Sequence, residues 1–317
     1  MAFSISVIIP AYNVERFIET AIQSAVRQLE VGEVVVIDDG STDTTWAIIQ
    51  SLQIVYDKLK VYQHERKVNR GRSATRNLGI KMATKDYIAF LDADDFYLEN
   101  RFKNDLKILE ANKNIDGVYN AVGFHFYRKA RDNEKEKLKM STVSKKIPPE
   151  ELFNSIVSSK YGYLHLNGLT IKKSVFDKVG FFNELLVVAE DSDILFKMAL
   201  KCQLESGIID RPVAIRGVHE ANIFTREDLF RIFNIKLYES TLRWSCKNDI
   251  PIKNLDTLLK WLWFFKYRDK STMRKYIFYW GFLFSSNPRI LFSVLSVKYF
   301  PPIRLRKKMF PYLFQSD

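Results

Sequence analysis

Short, largely apolar runs punctuate the first third of the chain. Ile5 to Ile9, Val34-Val35-Val36-Ile37 and Tyr87-Ile88-Ala89-Phe90-Leu91 predict strands buried on both faces of a sheet, and Leu59 to His64 predicts another. Between them the spacing changes. Val14, Phe17, Ile18, Ala21, Ile22, Ala25 and Val26 recur every three or four residues, predicting a helix with one buried face and Asn13 placed to cap it. Ser41 or Thr42 opens a second predicted helix, and residues 73–83 form a third. Strands alternating with helices in this way predict an α/β fold with a Rossmann-like, mostly parallel sheet and flanking helices. The polar clusters fall at the C-terminal ends of the strands, the edge where an open α/β sheet binds ligands.

Later segments read differently. Residues 128–150, from Arg128 through Lys145-Lys146 to Pro148-Pro149, are charged and poor in apolar side chains, which predicts a mobile loop, either a lid or a solvated linker. Beyond Ile223 the pattern becomes helical and aromatic, with a break expected near Asp249-Ile250-Pro251.

Composition changes the picture chiefly at the C-terminus. The net charge of +12 over 317 residues suggests a polyanionic partner, but residues 257–317 alone carry 12 Lys+Arg against Asp269 and Asp317. The other 256 residues hold 37 basic and 35 acidic side chains and are nearly neutral. The same tail has 17 of the 44 aromatic residues, in stretches such as Trp261-Leu262-Trp263-Phe264-Phe265 and Tyr276-Ile277-Phe278-Tyr279-Trp280. Aromatic rings interleaved with Lys and Arg are the composition of a segment lying at a membrane surface, or of a helical subdomain with a basic solvent face. Nucleic acid fits less well, because the acidic clusters described next would repel its backbone. Cys202 and Cys246 stand far apart without histidines at ligand spacing, so a disulfide framework and a zinc site are both unsupported. The N-terminal stretch lacks the features of a secretory signal, which predicts a cytoplasmic protein.

Three acidic clusters carry candidate chemistry: Asp38-Asp39-Gly40-Ser41-Thr42-Asp43, Asp92-Ala93-Asp94-Asp95 and Glu190-Asp191-Ser192-Asp193. Carboxylates crowded at strand ends repel one another unless a cation or a donor-rich ligand sits among them. Helix capping accounts for Ser41, Thr42 and Asp193 but not for Asp92 and Asp94 directly after an apolar strand.

Asp-X-Asp alone is a weak signal; the ordered set is specific. Pro10-Ala11-Tyr12-Asn13, Asp38-Asp39-Gly40-Ser41, Asn69-Arg70-Gly71, Ala74-Thr75-Arg76-Asn77, Asp92-Ala93-Asp94-Asp95, Glu190-Asp191 and His219 follow in that order. Together they closely resemble the family-two glycosyltransferases of GT-A fold over roughly residues 3–225. The resemblance implies a catalytic domain over 1–225, its nucleotide-binding half about 1–110 and its acceptor half about 111–225; the helical region over 226–317, set off by its own pattern, lies outside the resemblance. It implies a nucleotide-sugar donor, with Pro10 and Tyr12 packing on the base and Asp39 accepting a hydrogen bond from it. A ring N–H donor points to UDP first, with dTDP or GDP behind it. Asp94 matches the family's metal-binding aspartate, Asp92 its ribose or metal partner, and His219 an added ligand, so Mn2+ or Mg2+ is implied as cofactor. Arg76 is a candidate phosphate contact. Asp191 matches the catalytic base of an inverting displacement, with Glu190 orienting the sugar or supporting Asp191.

The chain departs from processive members of that family, having no Gln-X-X-Arg-Trp motif and no apolar stretch of the ~20 residues that a span needs. The expected activity is therefore single-sugar transfer to a glycan or lipid-linked glycan acceptor in cell-surface polysaccharide assembly, at the inner face of the cytoplasmic membrane. The rivals are an aspartate-nucleophile phosphatase, disfavoured because Asp94 is followed by Asp95-Phe96, and a non-enzymatic membrane-surface adaptor with a degenerate transferase fold.

Overall fold

The apolar runs become the centre of a seven-stranded sheet. The computed structural model describes residues 4–220, 227–268 and 270–309, which divide into two units, Met1–Glu227 and Asp228–Asp317. In the first unit β1 (Ile5–Ala11), β2 (Val31–Asp38), β3 (Leu59–Gln63) and β4 (Tyr87–Phe90) run parallel, with β1 between β2 and β4. Beside β4 the sheet turns mixed. After β5 (Phe96–Tyr97), β6 (Gly117–Tyr119) and β7 (Val122–Phe126), strand β8 (Leu169–Lys172) lies antiparallel between β4 and β6, and β9 (Leu204–Ser206) closes the far edge parallel to β6. A second sheet of three strands places β10 (Ala214–Val218) between β5 and β7.

Helices α1 (Ile18–Val26), α2 (Thr45–Val55), α3 (Arg72–Met82) and α4 (Lys103–Ala111) connect the strands. Burial of Ile5, Val7, Ile9, Val34 and Val36 against Ile18, Ala21, Ile22, Ala25 and Ile49 forms the main core. On the other side α3 approaches β1 closely: a Cβ at Gly79 would stand 2.4 Å from Ile8 Cγ2. Only glycine allows that approach, which fixes the position of Arg76 one turn earlier on the same helix.

Two expected caps are replaced. Asn13 has φ 50°, and its side-chain oxygen accepts the Thr42 N–H at 2.8 Å, while Ser41 Oγ accepts the Asn13 N–H at 3.0 Å. The loops after β1 and β2 are thus stitched to each other, and the helices start later, at Ile18 and at Thr45, whose N–H goes to Asp43. Residues 128–150 are largely irregular, as expected of a loop, but they are tied to the fold. They contain α5 (Glu134–Lys137), which Arg128 clamps through Glu134 at 2.8 and 2.6 Å. Ser141 pairs with Val122, Val143 bridges Gly162, and both Ser141 and Val143 are buried, so the stretch is attached to the fold where two small side chains find cover. It leads into α6 (Pro149–Val157); α7 (Val175–Val179) and α8 (Glu190–Lys201) follow later in the unit.

The second unit holds α9 (Glu227–Lys247), α10 (Ile252–Arg268) and α11 (Met273–Ser285). Four short helices follow: α12 (Pro288–Leu291), α13 (Val294–Lys298), α14 (Pro301–Arg304) and α15 (Arg306–Met309). Asp249-Ile250-Pro251 forms the turn between α9 and α10 inside this unit. Its core is Leu255, Leu258, Leu259, Leu262 and Trp263 of α10 with Leu283 and Phe284 of α11. Among the described residues no helix is long and apolar enough to cross a membrane.

Candidate active site

The four parallel strands end on one edge, and the expected donor-site residues of the first half collect there. Pro10 lies in β1 and Tyr12 just beyond it, the Tyr12 ring 45% exposed and open to stacking. Asp39 follows β2 and is buried; its two oxygens accept from Arg70 N at 2.7 Å and Gly71 N at 2.9 Å. This clasp shapes the loop leading into α3, and the carboxylate retains lone pairs beyond those two bonds. His64 Nε2 stands 3.5 Å from Asp39, and burial pushes its imidazole pKa down.

Arg76 organises the centre. It is fully buried: Nη2 donates to Asp92 Oδ1 at 2.6 Å, and Nη1 donates to Glu190 Oε1 and Asp191 Oδ1, each at 3.1 Å. The sequence suggested a phosphate contact for this residue. Its location instead joins the Asp-X-Asp turn to the first turn of α8, whose Glu190 lies 114 residues beyond Arg76. Burial opposes the guanidinium charge, but Asp191, Asp92 and Glu190 more than offset it and raise the arginine pKa. Burial also works against the Asp92 carboxylate, yet Arg76 and its neighbours hold Asp92 down to about 2. Glu190 moves the other way, to about 7, because burial and then Asp191 disfavour its charge more than Arg72 and Arg76 favour it. Asp191 keeps 31% of its side chain exposed and Asp92 23%, whereas Glu190 is buried, so Arg76 fixes the orientation of two part-exposed carboxylates.

A second pair lies at the next turn. His219 Nε2 and Asp94 Oδ2 approach to 2.8 Å, and the imidazole stacks on the Phe17 ring, centroids 4.9 Å apart. One carboxylate oxygen and one imidazole nitrogen at this separation match two adjacent ligands of one divalent cation, whose coordination edges are about 3 Å, and the donor types suit Mn2+ or Mg2+. Asp92 and Asp94 thus face different partners, Arg76 and His219. Residues 221–226, which follow His219-Glu220 in the sequence, lie outside the described residues.

Sequence reasoning missed the side chain that sets this turn. Asn167 is fully buried: its Oδ1 accepts the Asp92 N–H at 3.2 Å, its Nδ2 donates to Asp95, its N–H donates to His165 Nδ1 at 3.3 Å, and its carbonyl accepts from Arg101 at 3.2 Å. Asp95 in turn accepts the Gly217 N–H at 2.7 Å, two residues before His219. Asp92, Asp95 and His165 bring ligand-type atoms within 4.8 Å of one another and form a second candidate cation cluster, in which Asp95 also accepts two N–H groups. Burial, followed by Arg216, lowers the His165 pKa to about 4, and the ring is neutral near pH 7. The available signal was weak, an asparagine among alternating leucines in Leu164-His165-Leu166-Asn167-Gly168-Leu169. Because groups behind a metal ligand typically change affinity 10–100-fold, Asn167→Ala should weaken Mn2+ binding by about tenfold in an electron paramagnetic resonance titration. An unchanged Mn2+ affinity would remove Asn167 from the metal site.

Comparisons with known proteins identify the family and the fold. The family model described as Glycosyl transferase family 2 matches residues 6–176. An uncharacterized glycosyltransferase of Rickettsia typhi is 30% identical over 219 residues, which is 68% of this chain and 64% of that protein. A second, from Rickettsia felis, is matched over only 31% of its length, so the chain spans about one third to two thirds of these relatives. Among solved structures, S. aureus TarS 1-349 in complex with UDP-GlcNAc superposes with a TM-score of 0.62 at 18% identity, over 99% of this chain and 94% of that one. Mannosyltransferase PcManGT from Pyrobaculum calidifontis, in complex with GDP-Man and Mn2+, gives 0.51 at 16% identity, over 97% and 87%. At these identities the two structures speak for the GT-A fold.

Proposed function

We propose, from the premise that this chain belongs to glycosyl transferase family 2, that it is a metal-dependent, inverting glycosyltransferase moving one sugar from a UDP-sugar to an acceptor hydroxyl. The observation that carries the reading is the placement of Asp191. Arg76 orients this partly exposed carboxylate while also holding Asp92 of the turn that presents Asp94 and His219. Tyr12 and Pro10 pack on the uracil, and Asp39 accepts from its N3–H. Asp94 and His219 would hold a divalent cation, which when bound neutralises the charge growing on the leaving diphosphate.

The acceptor oxygen attacks the anomeric carbon from the face opposite the diphosphate. Asp191 takes the hydroxyl proton as the new bond forms, UDP departs with the electron pair of the broken bond, and the anomeric configuration inverts. Glu190, buried against Arg72 and Arg76, supports Asp191 by fixing that pair of arginines. Support for a UDP donor comes from the UDP-GlcNAc held by one fold neighbour; GDP-Man in the other makes GDP the first competitor. The acceptor is a glycan or lipid-linked glycan of cell-surface polysaccharide assembly, met by a peripheral protein at the inner face of the cytoplasmic membrane. Family membership removes the phosphatase alternative.

Calorimetric titration of UDP with and without Mn2+, repeated for Asp94→Ala, tests the reading. Binding should need the metal and weaken at least about tenfold in the variant. Binding of GDP or dTDP in place of UDP would overturn the base assignment alone. If no nucleotide binds, the degenerate adaptor becomes the better account.

A further inference from the structure

The aromatic tail does not behave as one surface. Trp263 and Tyr276 are buried, and Trp280 stacks on Phe284 and meets Phe300 edge-on while its indole N–H donates to the Ser296 carbonyl at 3.1 Å. On α11 these inward residues, Tyr276, Tyr279, Trp280, Leu283 and Phe284, follow three-and-four spacing and make one face. A helix with one face in a core ordinarily turns a polar face to water. Here the outer face is Ile277, Phe278, Gly281 and Phe282, with Phe278 66% and Phe282 59% exposed, and beyond the helix Phe292 is 85% exposed. Core formation therefore accounts for most of the tail's aromatics and leaves a small apolar strip unexplained.

Charge on the same unit restricts what can cover that strip. Residues 228–317 contain 17 Lys+Arg and six acids, and within 252–309 the balance is 13 to two, Asp256 and Asp269. Asp256 is engaged within the unit, accepting from Tyr299 Oη at 2.7 Å and Lys298 Nζ at 2.6 Å. Cations stand beside the exposed rings: the Arg274 guanidinium lies 5.5 Å from the Phe278 centroid and that of Arg268 lies 4.5 Å from Phe264. A second copy would bring like charge against like charge, whereas a surface that is anionic at headgroup depth and apolar beneath complements both features.

We infer that this face of the second unit docks on an anionic lipid bilayer. Phe278, Phe282 and Phe292 enter the boundary between headgroups and acyl chains, and Arg268, Arg274 and Lys275 meet lipid phosphates. The inference rests on the proposed reading only in giving a lipid-linked acceptor a place to be met; nucleotide titration of the same samples keeps the two failures distinct.

The test is co-sedimentation of the full chain with vesicles of phosphatidylcholine, alone or mixed with phosphatidylglycerol. Partitioning should be at least about tenfold stronger on the mixed vesicles and fall as salt is raised. Phe278→Ser/Phe282→Ser should cut it by about tenfold or more, and Arg274→Glu/Lys275→Glu should lower it while flattening the salt dependence. Unchanged UDP titration and melting temperature show that each variant is folded. If the paired phenylalanine variant does not fold, Phe292→Ser in the turn after α12 asks the same question and should still reduce partitioning. Equal partitioning on both vesicle types, or no response to either apolar variant, overturns the inference. So does self-association that the serine variants abolish, which would make the face a contact between copies, or competition by single-stranded DNA, which would make it a nucleic-acid surface.

Discussion

Arg76→Met is expected to destabilise the catalytic unit by about 3–5 kcal/mol at pH 7, the range for breaking a buried ion pair by removing one partner. Methionine fills much of the volume but leaves Asp92, Glu190 and Asp191 facing one another without the guanidinium that each now bonds. In the wild type, Asp92 is held at about 2, so its contribution is present above its unfolded value and is lost as pH falls toward 2. Glu190, raised to about 7, has the opposite sign: it binds a proton more readily folded than unfolded, and its contribution declines as pH rises through 7. Without Arg76 all three carboxylates acquire the Glu190 behaviour. The deficit should therefore shrink as pH is lowered from about 7 to 5, where neutral carboxyls can share protons. Urea unfolding of both proteins at the two pH values measures this. A deficit that does not change with pH would mean that Arg76 acts by packing, through contacts such as its 5.5 Å approach to the Phe182 ring, and not by charge.

How far the sequence reveals this arrangement depends on the range of the interaction involved. Strands β1, β2 and β4 are legible because burial on both faces demands a largely apolar run, which is a local pattern, whereas edge strand β3 keeps only Leu59 buried. The residue types of the site are legible too, since carboxylates directly after such runs have few structural explanations. Their partners are not. Nothing near Arg76 announces that it will bond residues 16, 114 and 115 positions away, and an exposed helix arginine would look the same in sequence. Asn13 resembles a helix cap, yet the loop across the sheet competes for it and wins. In 128–150 the count of charges hides the two small side chains, Ser141 and Val143, that attach the stretch. In the second unit, composition identifies aromatics and cations together, but only packing separates Trp263 in the core from Phe278 outside it.

Asp191→Asn should reduce turnover by about 10³-fold, within the range that a positioned general base contributes, while donor affinity changes by no more than about twofold. Asparagine keeps an oxygen for the Arg76 Nη1–H bond now made at 3.1 Å, and Asp92 and Glu190 still hold the guanidinium, so the variant tests proton acceptance with little change in shape. Asp191→Glu keeps the base but displaces it by one methylene, and a misplacement of that size costs about 100-fold. Glu190→Gln separates the neighbouring roles. If Glu190 acts through Arg72 and Arg76, its variant should retain most turnover at saturating donor and lose stability instead, because two arginines keep an acceptor oxygen but lose its negative charge. UDP released from the UDP-sugar that supports the fastest reaction gives the rates, and calorimetry gives the donor affinity. An Asp191→Asn enzyme that remains active beside an inactive Glu190→Gln would transfer the base to Glu190, whose pKa near 7 would suit it to that task.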